Sequence, residues 1–269
     1  MLLANAARYL AKRGKGVVAL DFDFEAPGLH YKFDEVRELA GGVVPYLIAT
    51  AEGSTSAPPF DDHMISVPVS TAAGGWVRLM PAGPAPGRRY WAALKELGER
   101  LRLTDLSGRG FMALLDLQAR IADELRPDYL LIDARTGVTE LGGLATTVLA
   151  DTVVCMFVAN QESLDGTLAV VEALKSTPRL TIQEPIRVVP VLSRTTKVLS
   201  TDPRFWPGIS RLLALAEGCE RPSINMPWAL PYDDELGPIE KLIGIGRHDR
   251  ESPLRDAYLK LFQELFPGT

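Results

Sequence analysis

Short apolar runs that do not alternate with polar residues constrain this chain most. Five of them, at 17–20, 129–132, 152–158, 186–192 and 224–230, have the continuous apolar character of strands covered on both faces. That pattern belongs to parallel sheets rather than to half-exposed hairpins. A shorter pair of strands is predicted at 65–69 and 77–80, on either side of Gly74-Gly75. Helical patterns lie between the strands at 89–102, 111–125, 164–175 and 205–217. The chain opens on a further helical segment through Lys12, with Leu3, Ala6, Ala7 and Leu10 on one face. Asp202-Pro203 and Ser252-Pro253 each place a good capping residue before a proline, which predicts a helix start at each. The second start opens a C-terminal helix to Phe266, with Leu254, Tyr258, Leu261, Phe262 and Leu265 on the side that packs. Strands alternating with helices predict an α/β fold, a doubly wound, mostly parallel sheet with helices on both faces. The Pro/Gly/Ser/Ala-rich stretches at 54–59 and 81–87 are too short for linkers, and no internal repeat is visible. A single domain over 1–269 is therefore expected.

Composition excludes several classes. Net charge is −5, with acidic and basic residues interspersed and no basic tail. Arg88-Arg89 and residues 247–250 read as solvated faces rather than as a nucleic-acid surface. The two cysteines, Cys155 and Cys219, cannot build a disulfide framework, so a reducing cytoplasm is the expected location. No run approaches the ~18 apolar residues of a membrane span. His30, His63 and His248 have no partner spacing, which gives them no metal role.

Two segments carry chemistry. In the first, Val17-Val18-Ala19-Leu20-Asp21-Phe22-Asp23-Phe24-Glu25-Ala26-Pro27-Gly28-Leu29, an apolar strand delivers two carboxylates at its carboxyl end. Open α/β sheets bind ligands at that end. Asp21 and Asp23 point the same way if the strand continues, and such a pair can hold Mg²⁺ or position a water. In the second, Asp128-Tyr129-Leu130-Leu131-Ile132-Asp133-Ala134-Arg135-Thr136-Gly137, an apolar strand again ends in a carboxylate, here followed by Thr-Gly. This has the form of a Walker-B strand, whose terminal carboxylate reaches Mg²⁺. Taken singly, each segment reads equally well as a strand that stops at an acidic turn.

Together and in this order they resemble the ParA/MinD family, the deviant-Walker group of P-loop ATPases. Asp21-Phe22-Asp23 resembles the family's second-strand motif, and Asp133-Ala134-Arg135-Thr136-Gly137 its Walker B and switch region. Leu79-Met80-Pro81-Ala82-Gly83, Ala150-Asp151-Thr152-Val153-Val154 and Leu230-Pro231-Tyr232-Asp233 are similar to its later strands and turns. The likeness runs from Met1 to about Asp233 and is nearest a divergent branch whose loop reads KGGVGR. It implies the P-loop NTPase fold, a switch that binds and hydrolyses ATP with Mg²⁺, and a homodimer closed by nucleotide that acts on an unidentified protein partner. In that scheme Asp23 positions water, Asp133 holds Mg²⁺ through its water shell and Asp21 supports the metal. Thr136 and Gly137 sense the γ-phosphate, and Ser193, Arg194, Pro231 and Tyr232 lie by the base.

The departures matter as much. No GxxxxGK[ST] occurs in the chain. Met1-Leu2-Leu3-Ala4-Asn5-Ala6-Ala7 resembles the segment that follows this loop, so the family's first strand and P-loop are expected to be missing. An internal start or truncated gene model is the expected cause rather than evolved loss. Ser193-Arg194 stands where the family commonly has an adenine-reading asparagine. Three charge-assisted bonds to phosphate at roughly 1.5–3 kcal/mol each make the loop worth at least ~4 kcal/mol, over ~1,000-fold in affinity. The expected function is an ATP-dependent dimeric switch, inactive in this form. The alternative is a non-catalytic degenerate homologue that serves as an interaction module. In the family the absent strand separates the strands matched by 129–132 and 152–158, so these two are expected not to pair.

Overall fold

The structure, a computed structural model, describes residues 1–33, 41–52, 57–69, 72–84, 87–99, 101–102, 105–134, 143, 145–176, 185–196, 202–221, 223, 225–234 and 251–269. They form two compact units, one built on Met1–Arg135, the other on Thr136–Ile239 with Arg250–Gly268.

The first unit carries a four-stranded sheet in the order β2-β3-β1-β4. Its strands are β1 (Gly16–Asp21), β2 (Ile65–Val67), β3 (Trp76–Met80) and β4 (Tyr129–Asp133). β1 runs parallel to both β3 and β4, while β2 closes the sheet as an antiparallel edge on β3. The strand pair predicted at 65–69 and 77–80 is present as Ile65–Val67 and Trp76–Met80, with Gly74 between them at φ 76. All six positions of β1 are buried, as its unbroken apolar run requires. The near end of the β1–β4 pairing is clamped by Asp128, whose carboxylate accepts the Gly16 N–H at 2.7 Å while its own N–H donates to the Gly16 carbonyl at 2.8 Å.

Helix α1 (Leu2–Lys12) packs on this sheet. Its buried face is broader than the predicted stripe. Ala4, Asn5, Tyr9 and Ala11 join Ala6, Ala7 and Leu10, while Leu3 is only half-buried. Small residues allow that close approach: a side chain at Gly75 would stand 2.0 Å from the Ala11 carbonyl. The remaining helices here are α2 (Leu29–Lys32), α3 (Val43–Ala51), α4 (Arg88–Glu99) and α5 (Arg109–Arg120). The last turn after α5, Ile121–Leu125, widens to a π-helix and stops at Arg126 in the left-handed region, φ 48.

The second unit carries a three-stranded parallel sheet, β5 (Thr152–Val158), β6 (Arg187–Thr195) and β7 (Trp228–Pro231), in that order. Helices α6 (Gln161–Ser176) and α7 (Phe205–Glu217) pack together over a core that includes Phe157, Leu164, Leu192, Phe205 and Leu212. Helix α8 (Pro253–Leu265) packs against β7. Its start is as predicted, with the Ser252 hydroxyl accepting the Arg255 N–H at 3.2 Å. Of its predicted packing residues, Leu254, Tyr258, Leu261 and Phe262 are buried.

Three expectations need correction. β7 begins at Trp228, with Asn225, Met226 and Pro227 outside the ladder, and residue 224 of the predicted strand lies outside the described residues. β6 runs on to Thr195, past the predicted 192, through an irregularity in its pairing with β7 between Leu192 and Thr195. α7 begins at Phe205 with Arg204 as its cap, so Asp202 does not cap it. The Asp202 carboxylate instead accepts the Arg204 N–H at 2.9 Å, which forms the turn that enters the helix.

β4 and β5 are terminal strands of separate sheets. Every residue of β4 is half-buried, although Tyr129-Leu130-Leu131-Ile132 reads as an interior strand. β5 alternates, with Val153, Cys155 and Phe157 buried and the intervening residues half-buried or exposed.

Candidate functional site

The parallel register of β1 and β4 sets Asp21 directly opposite Asp133 at the carboxyl ends of the two strands. Beyond that pair, the Phe22 N–H donates to the Asp133 carbonyl at 2.8 Å, which carries the chain into the Asp23 turn. Asp21 is fully buried. Its carboxylate accepts three backbone N–H groups, from Asp23 at 3.1 Å, Gly28 at 3.2 Å and Leu29 at 3.1 Å. It therefore gathers the whole 22–29 loop and provides an acceptor at the start of α2. Asp23 is half-buried, and its own carboxylate accepts the Ala26 N–H at 3.2 Å, tightening the turn.

These carboxyl groups disfavour one another's ionisation. Burial pushes Asp21 up to about 7, the Leu29 N–H pulls it back, and the charge of Asp133 adds to the rise. Asp133 is raised as well, chiefly by burial, with the amino group of Met1 and Lys32 opposing the charge of Asp23. Asp21, Asp23 and Asp133 thus form one acidic cluster, with Lys32 near Asp133. Among the described residues no three His, Cys, Asp or Glu side chains gather tightly enough to hold a metal ion alone. Mg²⁺ does not need that, since it keeps several waters and takes one or two carboxylates.

Sequence patterning gave no sign of Tyr90. It lies in the first turn of α4, 2% exposed, and its hydroxyl donates to the Phe24 carbonyl at 2.7 Å. Burial raises its pKa, and the charges of Asp21 and Asp23 add to the rise. His30 is also buried, with no hydrogen-bond partner for Nδ1. His63 shares Nδ1 with the Gly42 backbone.

The second unit brings the other predicted residues together. The Ser193 hydroxyl donates to the Phe157 carbonyl at 3.1 Å, joining the ends of β5 and β6. Arg194 follows in the left-handed region, φ 54, within the β6–β7 irregularity. Pro231 pairs with Thr195, and the Tyr232 N–H donates to the Thr195 carbonyl at 2.9 Å. The Tyr232 ring is 51% exposed, and the Arg194 side of the loop is exposed too. Thr136, Gly137 and residues 247–250, which include His248, lie outside the described residues.

No family model matches the chain, and no curated protein matches it in sequence. Solved structures do. The septum site-determining protein MinD of Pyrococcus horikoshii, solved with Mg-ADP, matches 99% of this chain and 89% of its own, at 16% identity and TM-score 0.62. The cell division ATPase MinD of Pyrococcus furiosus matches 98% and 91%, at 17% identity and TM-score 0.62. A ParA-family ATPase of Chlorobium tepidum matches 99% and 87%, at 14% identity and TM-score 0.50. At these identities the likeness is one of fold. Among the described residues no helix is long and apolar enough to cross a membrane. With its mostly parallel sheets and these neighbours, the chain has the α/β fold of the ParA/MinD ATPases.

Proposed function

We propose that this chain is a nucleotide-dependent switch of ParA/MinD type, a single nucleotide-binding domain over 1–269 whose metal end is Asp21, Asp23 and Asp133. The observation that carries the reading is the Asp21–Asp133 pair at the carboxyl ends of adjacent parallel strands. Asp21 is buried and Asp133 half-buried, a bound cation would offset the repulsion among the carboxylates, and hard oxygen donors suit Mg²⁺. Asp133 would hold the ion through its water shell. Asp21, whose oxygens already accept three N–H groups, supplies charge and fixes the loop. Asp23 positions water. When bound, Mg²⁺ offsets the charge of phosphate oxygens.

The phosphates themselves are not provided for, because the chain contains no GxxxxGK[ST]. No hydrolytic step is assigned to it, and negligible Mg-ATPase activity is expected. Thr136 and Gly137 keep the γ-phosphate role that the resemblance gives them. Ser193, Arg194, Pro231 and Tyr232 keep the base role that the resemblance gives them, and the exposed Tyr232 offers a stacking surface. We further propose a cytoplasmic homodimer that engages a protein partner.

A second reading, a degenerate homologue acting as an interaction module, is favoured by one observation: the backbone already occupies Asp21. Titration of a fluorescent ADP analogue with and without Mg²⁺ separates the two. The switch reading expects binding that requires Mg²⁺ in the wild type and loses that requirement in Asp133→Asn. Wild-type binding indifferent to Mg²⁺ favours the module. Robust turnover that depends on Asp23 would contradict the argument from the missing loop.

A further inference from the structure

The acidic loop is fixed from two sides. Upstream, the Asp23 N–H is held by Asp21 at 3.1 Å. Downstream, the Phe24 carbonyl is held by the Tyr90 hydroxyl at 2.7 Å, and both residues are buried. Asp23 stands between these two anchors. Tyr90 is itself fixed from behind. A Cβ at Gly83 would stand 2.8 Å from its ring, so only glycine leaves room for the ring at this depth. The turn that presents Gly83 accepts the first N–H groups of α3, Val43 donating to the Pro81 carbonyl at 2.8 Å and Val44 to that of Ala82 at 2.9 Å. Gly42 completes the fit at φ 149, with Pro81 and Gly83 too close to admit a side chain. On α4 the buried residues are Tyr90 and Leu97, while Arg88, Arg89, Trp91 and Lys95 are exposed.

We propose that Tyr90 is a positioning residue that sets where the Asp23 carboxylate stands, acting through the Phe24 carbonyl. The claim rests on the reading of Asp23 as part of the metal and water end. Its physical basis is simple. A buried hydrogen bond to a loop carbonyl narrows the backbone of the preceding residue, and Asp23 precedes Phe24. Removing the hydroxyl leaves a buried carbonyl without its donor and widens the excursions of the loop.

The test is Tyr90→Phe in the full chain, which keeps the ring and deletes the donor, followed by amide hydrogen exchange. Exchange at the Asp23, Ala26, Gly28 and Leu29 amides is expected to rise about tenfold, the loss of one net hydrogen bond, with Val17, Val18, Ala19 and Leu20 unchanged. Unchanged loop amides would overturn the proposal. So would an equal rise throughout β1, which would mark general destabilisation. Gly83→Ala, which presses on the ring and keeps the hydroxyl, should give the same local pattern, and serves alone if the phenylalanine variant does not fold. A Mn²⁺ titration supplies the readout that packing alone would not move. Tyr90→Phe should weaken Mn²⁺ severalfold in the wild-type background and not at all in Asp23→Asn; an equal loss in both overturns the link to Asp23. If the wild type binds no Mn²⁺, the metal reading fails while the exchange pattern still decides whether Tyr90 holds the loop.

Discussion

The acidic end of the first sheet and the arginine–tyrosine end of the second are built on opposite terms. Around Asp21 the polar contacts are wholly or partly buried: one carboxylate gathers three backbone N–H groups, and Tyr90, distant in sequence, anchors the Phe24 carbonyl. Around Arg194 the polar groups are exposed, the backbone is left-handed, and the Tyr232 ring faces solvent. The first arrangement holds charge in a fixed place before any ligand arrives, which is what a cation needs. The second leaves donors and a ring surface free to adapt, at the cost of local backbone strain. Substitutions should therefore affect stability strongly at the first end and little at the second.

The largest effect should be on pH dependence. The folded pKa of Asp21, about 7, lies above its ordinary 3.8, so between those values the folded chain keeps a proton that the unfolded chain releases. Stability is then fully present below that window and is lost as pH rises through it, by up to ~4 kcal/mol. Urea unfolding at pH 5 and pH 8 checks this. Asp133, also raised, contributes with the same sign. Asp21→Asn should flatten the profile, and a wild-type profile that is already flat would break the contrast.

Next, Asp21→Ala at pH 7 leaves three wholly or partly buried N–H groups without their acceptor and should cost ~3 kcal/mol, read as a shift in the urea midpoint. Tyr232→Ala, at an exposed ring, should stay within about 0.5 kcal/mol. Comparable losses at the two sites would show that the second end is as rigid as the first. Smallest of all, Arg194→Gly relieves the left-handed conformation but gives the unfolded chain more freedom. It should stabilise by about 0.5 kcal/mol, and a clear loss would mean that the arginine side chain holds the loop.

Much of this was legible in the sequence where chemistry sits at the end of a strong pattern. Asp21 and Asp133 each terminate an unbroken apolar run, so strand direction alone places both at carboxyl ends, and parallel pairing then sets them opposite. What Asp21 does locally was not legible, because two of its partners, Gly28 and Leu29, are seven and eight residues away around a turn. Tyr90 was hidden for a different reason. It sits in a helix beside Arg88, Arg89 and Trp91, and the room for its ring is made by Gly83, which no pattern of hydrophobicity reveals. The half-buried state of β4 was equally out of reach, since Tyr129-Leu130-Leu131-Ile132 has the composition of an interior strand whether or not both of its edges are paired.

The central claim is that the opposed carboxylates of β1 and β4 form a cation site. Mn²⁺ binding to the purified chain, followed by water-proton relaxation in wild type and Asp133→Asn, tests it most directly. A single site in the wild type that weakens at least about tenfold in the variant, roughly 1.4 kcal/mol, is the predicted result. Equal affinity in the two proteins would contradict it and leave Asp21 and Asp133 as strand-end residues that shape a loop.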